Sequence, residues 1–148
     1  MLKSKFILNA ILSKCSTAIT LVSTVVLPEQ KIDVQTLTNW VDVSAVSMSP
    51  KAGARIDKDT ISVDVVFRVW CKKTSNIHDH MKIASEIATN FEHSEIPVYD
   101  NITSGHPRVG WLSFKEAITS NLTPQSESQL RTNTRCITVS FSATAQEL

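Results

Sequence analysis

Apolar positions along the chain recur first at helical spacing, then at alternate residues, then at helical spacing again, and finally at alternate residues. In the first stretch Leu2, Phe6 and Ala10, followed by Ile7, Ile11, Ala18, Val22 and Val25, fall three or four apart, which predicts a helix over about residues 2–22. Its later part, "TAITLVSTVV", is rich in β-branched residues and suits a strand as well as a helix, and Pro28 ends either. The period then drops to two. In "NWVDVSAVSM" Val41, Val43 and Ala45 alternate with Asp42 and Ser44, and after a loop carrying Pro50 and Gly53 the stretch "TISVDVVFRVWCKK" places Ile61, Val63, Val65, Phe67, Val69 and Cys71 on one face. These two strands predict a long antiparallel hairpin. The second strand's other face carries Ser62, Asp64, Val66, Arg68 and Trp70, and it grows less like a plain solvated surface toward its end.

Over residues 75–92 helical spacing returns, with Ile77, Met81, Ala84, Ile87, Ala88 and Phe91 on one side and Asp79, Lys82, Glu86 and Asn90 on the other. Thr74, Ser75 or Asn76 is available as the N-cap. "IPVYDN" then reads as a turn. In "RVGWLSFKEAI", Val109 and Trp111 alternate with Leu112, Phe114 and Ile118, and "RCITVSFSATA" aligns Ile137, Val139, Phe141, Ala143 and Ala145. Between these strands "TSNLTPQSESQLRTNT" is polar, with Leu122 and Leu130 as its few apolar side chains, and predicts a mobile loop over about 119–134. The fold class is therefore α+β: one domain over residues 1–148, with a mixed or mainly antiparallel sheet of four to five strands packed by two helices.

Composition narrows the function by exclusion. The net charge of +1 is far from that of a protein whose affinity comes from neutralising many phosphates, so no sequence-specific nucleic-acid partner is expected. Charge is uneven, however: residues 1–31 carry four Lys against one Glu, and residues 32–107 carry seven basic and ten acidic side chains, which can orient subunits. Cys15, Cys71 and Cys136 are widely spaced in apolar surroundings and read as reduced thiols, without a C-x-x-C pair or a Cys/His ligand cluster. No apolar run approaches the ~18 residues of a membrane span. "MLKSKFILNAILSKC" has the layout of a secretory signal, but Lys14 interrupts its apolar run and no A-x-A-like cleavage site follows.

Candidate chemistry is sparse. His78, Asp79 and His80 carry metal-ligand types, yet residues two apart on a helix point away from each other, so no metal is expected there. No G-x-S-x-G elbow is present, and three glycines leave no phosphate-cradling loop. Glu86, Glu92 and Glu95 have the right type for acid/base work, but a charged helix face predicts them without it. The "NIT" at Asn101 and "NLT" at Asn121 match glycosylation sequons by chance in a Thr-rich chain. Trp40, Trp70 and Trp111 lie on or beside strands, in places that suit core packing or interface anchoring. No enzyme, cofactor or catalytic residue is expected.

The element order carries a resemblance. A terminal helix, a "VDVVFRVWCKK" strand leading directly into "HDHMKIASEIATNF", the "IPVYDN" turn, a strand near "RVGWLSFKEA", a polar loop and the closing "TRCITVSFSATA" together resemble the tail terminator and neck (head-to-tail joining) proteins of tailed bacteriophages. The likeness is one of architecture across most of the chain. It implies a virion structural protein of the tail or neck, assembled in the host cytoplasm. Its subunits would form a closed homo-oligomeric ring, a hexamer, that ends the tail tube and joins it to the head. The implied partners are further copies of the chain, the tail tube protein and a neck or connector protein. A head-completion connector protein is the near alternative, and a secreted α/β binding domain with residues 1 to about 20 as signal peptide is the contrasting class. On this reading Arg68 and Trp70 meet a neighbouring subunit or are covered by the first helix, and Leu122, Leu130 and Arg131 contact a neighbour or the tail tube.

Overall fold

The computed structural model describes residues 2–22, 24–28, 30–33, 35–50, 60–72, 77–121 and 134–148. It contains α1 (Ser4–Ala18), β1 (Val25–Val26), β2 (Asn39–Pro50), β3 (Thr60–Lys72), α2 (Ile77–Phe91), β4 (Glu95–Tyr99), β5 (Arg108–Asn121) and β6 (Thr134–Glu147). The six strands form one sheet in the order β1-β2-β3-β6-β5-β4. Only β1 and β2 run parallel, and every other pair is antiparallel.

Helix α1 stops where its sequence changes character. Ile19 is already extended at φ −115° and donates back to the Cys15 carbonyl, and the β-branched residues that follow supply β1 instead of a longer helix. The ambiguous "TAITLVSTVV" is thus helix, crossing and strand in turn. Helix α2 ends with His93 in the left-handed region at φ 54°, while the Glu92 N–H bonds the Ala88 carbonyl and the Ser94 N–H bonds that of Phe91. Its expected caps, Thr74, Ser75 and Asn76, lie outside the described residues.

Both helices lie on the same side of the sheet. Phe6, Ile7, Ile11 and Cys15 of α1 and Ile83, Ile87 and Phe91 of α2 join one core with Val41, Val63, Val65, Phe67, Val139 and Phe141. At its centre Phe91 packs 5.0 Å from Phe67, 5.3 Å from Phe114 and 5.6 Å from Phe141, ring centre to ring centre, so one helical side chain ties three strands together.

The α+β class with two helices holds, and the sheet has six strands where four to five were expected. The two additions have different causes. β1 is two residues long, too short for any periodic signal. "EIPVY" forms β4 and not a turn, because Ile96 and Val98 are buried on the helix side while Pro97 sits near the sheet's edge, where a missing N–H is tolerated. The turn comes later, where the Asp100 carboxylate accepts from the N–H groups of Ile102 (2.8 Å) and Thr103 (3.1 Å).

Two bulges overturn two face assignments. One between Val43 and Ala45 moves Ala45 to the outer side opposite Val66 and brings Val46 and Met48 inward. The other, between Phe114 and Ala117, turns Ala117 inward and leaves Ile118 outward and 65% exposed. Period-two reading fails at a bulge because one inserted residue exchanges the faces of all that follow. Of the loop expected over 119–134, Thr119–Asn121 belong to β5 and Thr134 to β6, and residues 122–133 lie outside the described residues.

Two substitutions test this packing by chemical denaturation. Phe91→Ala should lower stability by about 3–5 kcal/mol, as for a fully buried ring. Gly110→Ala should cost about 1–3 kcal/mol, because a Cβ there would run into the Gln146 backbone carbonyl.

Candidate assembly surface

With both helices on one side, the sheet's other side is formed by the residues between the core positions. Rows run straight across it. Trp40, Trp70 and Cys136 are paired in one row, and Asp42, Arg68, Thr138 and Ser120 in the next. Of the two alternatives for Arg68 and Trp70, cover by α1 does not hold within this chain, since α1 packs on the opposite face. Arg68 is exposed and Trp70 half-buried.

Trp70 is held by two partners. Its ring lies parallel to that of Trp40, with centres 6.0 Å apart and planes 12° apart, and its indole N–H donates to Asp42 Oδ2 at 2.7 Å. Burial pushes the Asp42 carboxyl above its ordinary value, against the opposing pull of the Trp70 bond and the Arg68 charge. Asp42 Oδ1 and Thr138 Oγ1, in the same row, are both buried with no hydrogen-bond partner among the described residues. At the diagonally opposite corner the Arg108 guanidinium stacks 4.4 Å from the centre of the Trp111 ring. The rest of this face is mostly small and polar: Ser47, Ser49, Ser62, Ser140, Ser142 and Thr144.

Sequence reading named Arg68 and Trp70 but missed Trp40 and Asp42 as their companions. A hairpin's paired positions keep a constant sum only up to a bulge: the sum is 111 from Pro50 opposite Ile61 to Ala45 opposite Val66 and 110 beyond the bulge, so Trp40 falls opposite Trp70 and Asp42 opposite Arg68 only once that bulge is known. Leu122, Leu130 and Arg131 lie outside the described residues.

The residues considered for chemistry have structural duties. The Glu86 carboxylate accepts from the Thr20 N–H, the Thr20 hydroxyl (2.7 Å) and the Leu21 N–H (3.1 Å), binding the chain just after α1 to α2. Partial burial opposes its charge, but these three donors outweigh burial and hold its pKa below the usual value. Glu92 accepts the Ala117 N–H at the β5 bulge, at 3.1 Å, and Glu95 accepts from the Ser113 hydroxyl, also at 3.1 Å. Among the described residues no three His, Cys, Asp or Glu side chains are grouped to hold a metal ion, and no helix is long and apolar enough to cross a membrane.

His80 is buried while its neighbours His78 and Asp79 are exposed. Its Nε2 lies 2.8 Å from the Val69 carbonyl, which can only accept, so Nε2 carries the proton. Burial lowers its pKa, the Val69 bond opposes this, and the Arg135 charge adds to the lowering. The three cysteines are free and buried. Burial pushes the Cys15 thiol up to about 12 and those of Cys71 and Cys136 to about 11, so none supplies a thiolate near neutral pH.

The sequence matches no protein-family model and no curated protein. Among solved structures the chain is similar to a protein in the virion of a native gene transfer agent particle. The TM-score is 0.62 at 14% identity, over 94% of this chain and 93% of that one. That likeness shows a shared fold along nearly the whole length of both.

Two measurements check the buried groups. A thiol reagent should label none of the three cysteines in the native protein at pH 8 and all three after denaturation. The unfolded chain binds a proton at His80 near pH 6.5, which the folded chain resists until lower pH, so the melting temperature should fall as pH drops below about 6.5. His80→Gln should flatten that dependence.

Proposed function

We propose that this protein is a structural component of a phage-like virion, a ring-forming tail terminator that ends the tail tube and joins it to the head or neck. The observation that carries this is the shared fold with a chain of a gene transfer agent virion, over 94% of one chain and 93% of the other. A second observation agrees with it: Glu86 and Glu92 accept backbone N–H groups and the three thiols are buried. No catalytic step is assigned to the chain.

In this reading the outer sheet face, with Arg68 and Trp70, meets another protein of the assembly. An exposed Arg beside a half-buried, rigidly held Trp is the side-chain pairing that dominates binding energy at protein interfaces. We assign the segment containing Leu122, Leu130 and Arg131 to contact with a neighbouring copy or the tail tube. The partners are further copies of the chain, arranged as a hexamer, a tail tube protein and a neck protein.

Native mass spectrometry of the purified chain should show a closed oligomer, six copies in the simplest case, and a strict monomer at high micromolar concentration would overturn the ring. Arg68→Ala should leave the melting temperature within about 2 °C, because the side chain is exposed. The same variant should weaken association with the partner by about 30-fold or more, the effect of losing an interface anchor. Particles joined at normal yield by that variant would remove Arg68 from the interface.

A further inference from the structure

Each edge of the sheet is stepped. On the left, β1 covers β2 only at Val41 and Asp42, so Ala45–Pro50 have no strand on their outer side among the described residues. On the right, β4 covers β5 only from Arg108 to Ser113, so Ala117–Asn121 are open in the same way. The two open stretches lie at opposite ends of the sheet. Following the paired rows, Pro50, Ile61, Ala145, Leu112 and Ile96 are level, and so are Val25, Val41, Val69, Ile137 and Asn121. Thus β1 protrudes at the level where β5 is open, and the start of β4 protrudes at the level where β2 is open.

We infer that copies of this chain join edge to edge through these steps. β4 of one copy would sit beside the open part of β2 in the next, running parallel to it, while β1 of that next copy would sit beside the open part of β5, running antiparallel. Three observations support a second copy as the occupant. First, the steps meet in level without any slip of register: one lateral displacement brings Glu95 and Ile96 beside Ser49 and Pro50, and Val25 and Val26 beside Asn121 and Ser120.

Second, the open stretches, "AVSMSP" in β2 and "AITSN" in β5, carry no charge. Exposed edges are ordinarily protected by charged side chains, and an uncharged one is a template for another strand. Two residues protect these edges at their ends: Pro50 closes β2, and the Glu92 carboxylate takes the Ala117 N–H at the start of the open part of β5. The register with β3 points the N–H groups of Val46 and Met48 outward, as it does that of Val41, which bonds the Thr24 carbonyl.

Third, bulk is distributed to suit. Trp40 and Trp70 stand beside the β1 step and Trp111 beside the β4 step, while the outer-face residues of the recesses are Ala45, Ser47 and Ser49 on one side and Ile118 and Ser120 on the other. Such a contact uses different surfaces on the two copies, and repeating it closes a ring when the rotation closes. The inference rests on the ring reading and specifies how the ring is made, leaving the face around Arg68 for a different protein.

Cross-linking tests it in the full-length chain. Ser49 and Glu95 are both exposed on the outer face and lie in the same row, four strands apart inside one molecule. That is about 19 Å, four strand spacings of about 4.8 Å, far beyond disulfide reach. Across the inferred contact they are direct neighbours. The double variant Ser49→Cys with Glu95→Cys should, on mild oxidation, run as a ladder of covalent oligomers ending at the ring size, while Ser49→Cys with Ser120→Cys should stay monomeric on the same gel. The native cysteines are buried and should not contribute. A ring by native mass spectrometry without the Ser49/Glu95 ladder, or with equal ladders from both variants, overturns the edge contact and leaves the ring standing. A double variant that is monomeric by mass and forms no ladder, alongside a monomeric parent, overturns both.

Discussion

The fold depends on Phe91. Its ring is the meeting point of Phe67, Phe114 and Phe141, one from each of β3, β5 and β6, and it is delivered by a helix that would otherwise be marginal at fifteen residues. Because α2 is fixed here, Glu86 one turn earlier can reach the backbone after α1, and Asn90 can donate to the Ala18 carbonyl at 2.8 Å. The second helix is thus placed by the core, and the first by its own buried face on the sheet together with these bonds to the second. Both end on one side of the sheet, which is why the other side and both edges are left to face outward.

That asymmetry separates two kinds of residue. Inward positions answer to burial: Val65, Phe67, Val69 and Val139 are fully excluded from solvent. Outward positions have no such duty, yet Trp40, Asp42 and Trp70 form an ordered group with a buried, unpartnered carboxylate oxygen. Burying the Asp42 Oδ1 with no hydrogen-bond partner among the described residues costs stability, which the Trp70 bond to Oδ2 and the Trp40–Trp70 stacking oppose.

How much of this was legible in the sequence depended on how far each signal extends. Strand β3 spans thirteen residues of nearly continuous alternation, and every inward assignment along it stands, whereas the stripe of α2 stands only in part: Ala84, Ile87 and Phe91 are buried, Met81 is 46% exposed, and Ile83 and His80 are buried without having been read as inward. The fold likeness to a virion chain agrees with the architecture on which the phage resemblance was drawn. The reading failed where one residue decides: at the bulges beside Ser44 and after Phe114, which exchange faces without any glycine to mark them, and at "EIPVY", where Pro97 looked like a turn signal. The cluster of Trp40, Asp42, Arg68 and Trp70 was only half visible, since two of its members come from another strand and meet the others through the hairpin's register.

The sheet's connectivity has a consequence in time. β3 lies at the middle of the sheet, and its partner on one side is β2, the adjacent strand in sequence, but on the other it is β6, with Thr60 opposite Gln146 and Lys72 opposite Thr134. These partners are about sixty to ninety positions apart, the kind of distant pairing that slows folding. A ribosome adding about 5–20 residues per second takes roughly 3–15 s to deliver β6 after β3. Throughout that interval a thirteen-residue strand, rich in valine and destined for the centre of the protein, is itself an edge. Until β6 arrives, the side of β3 that it will cover offers unpaired backbone groups to any other strand, the exposure that makes slow, distant pairings prone to association.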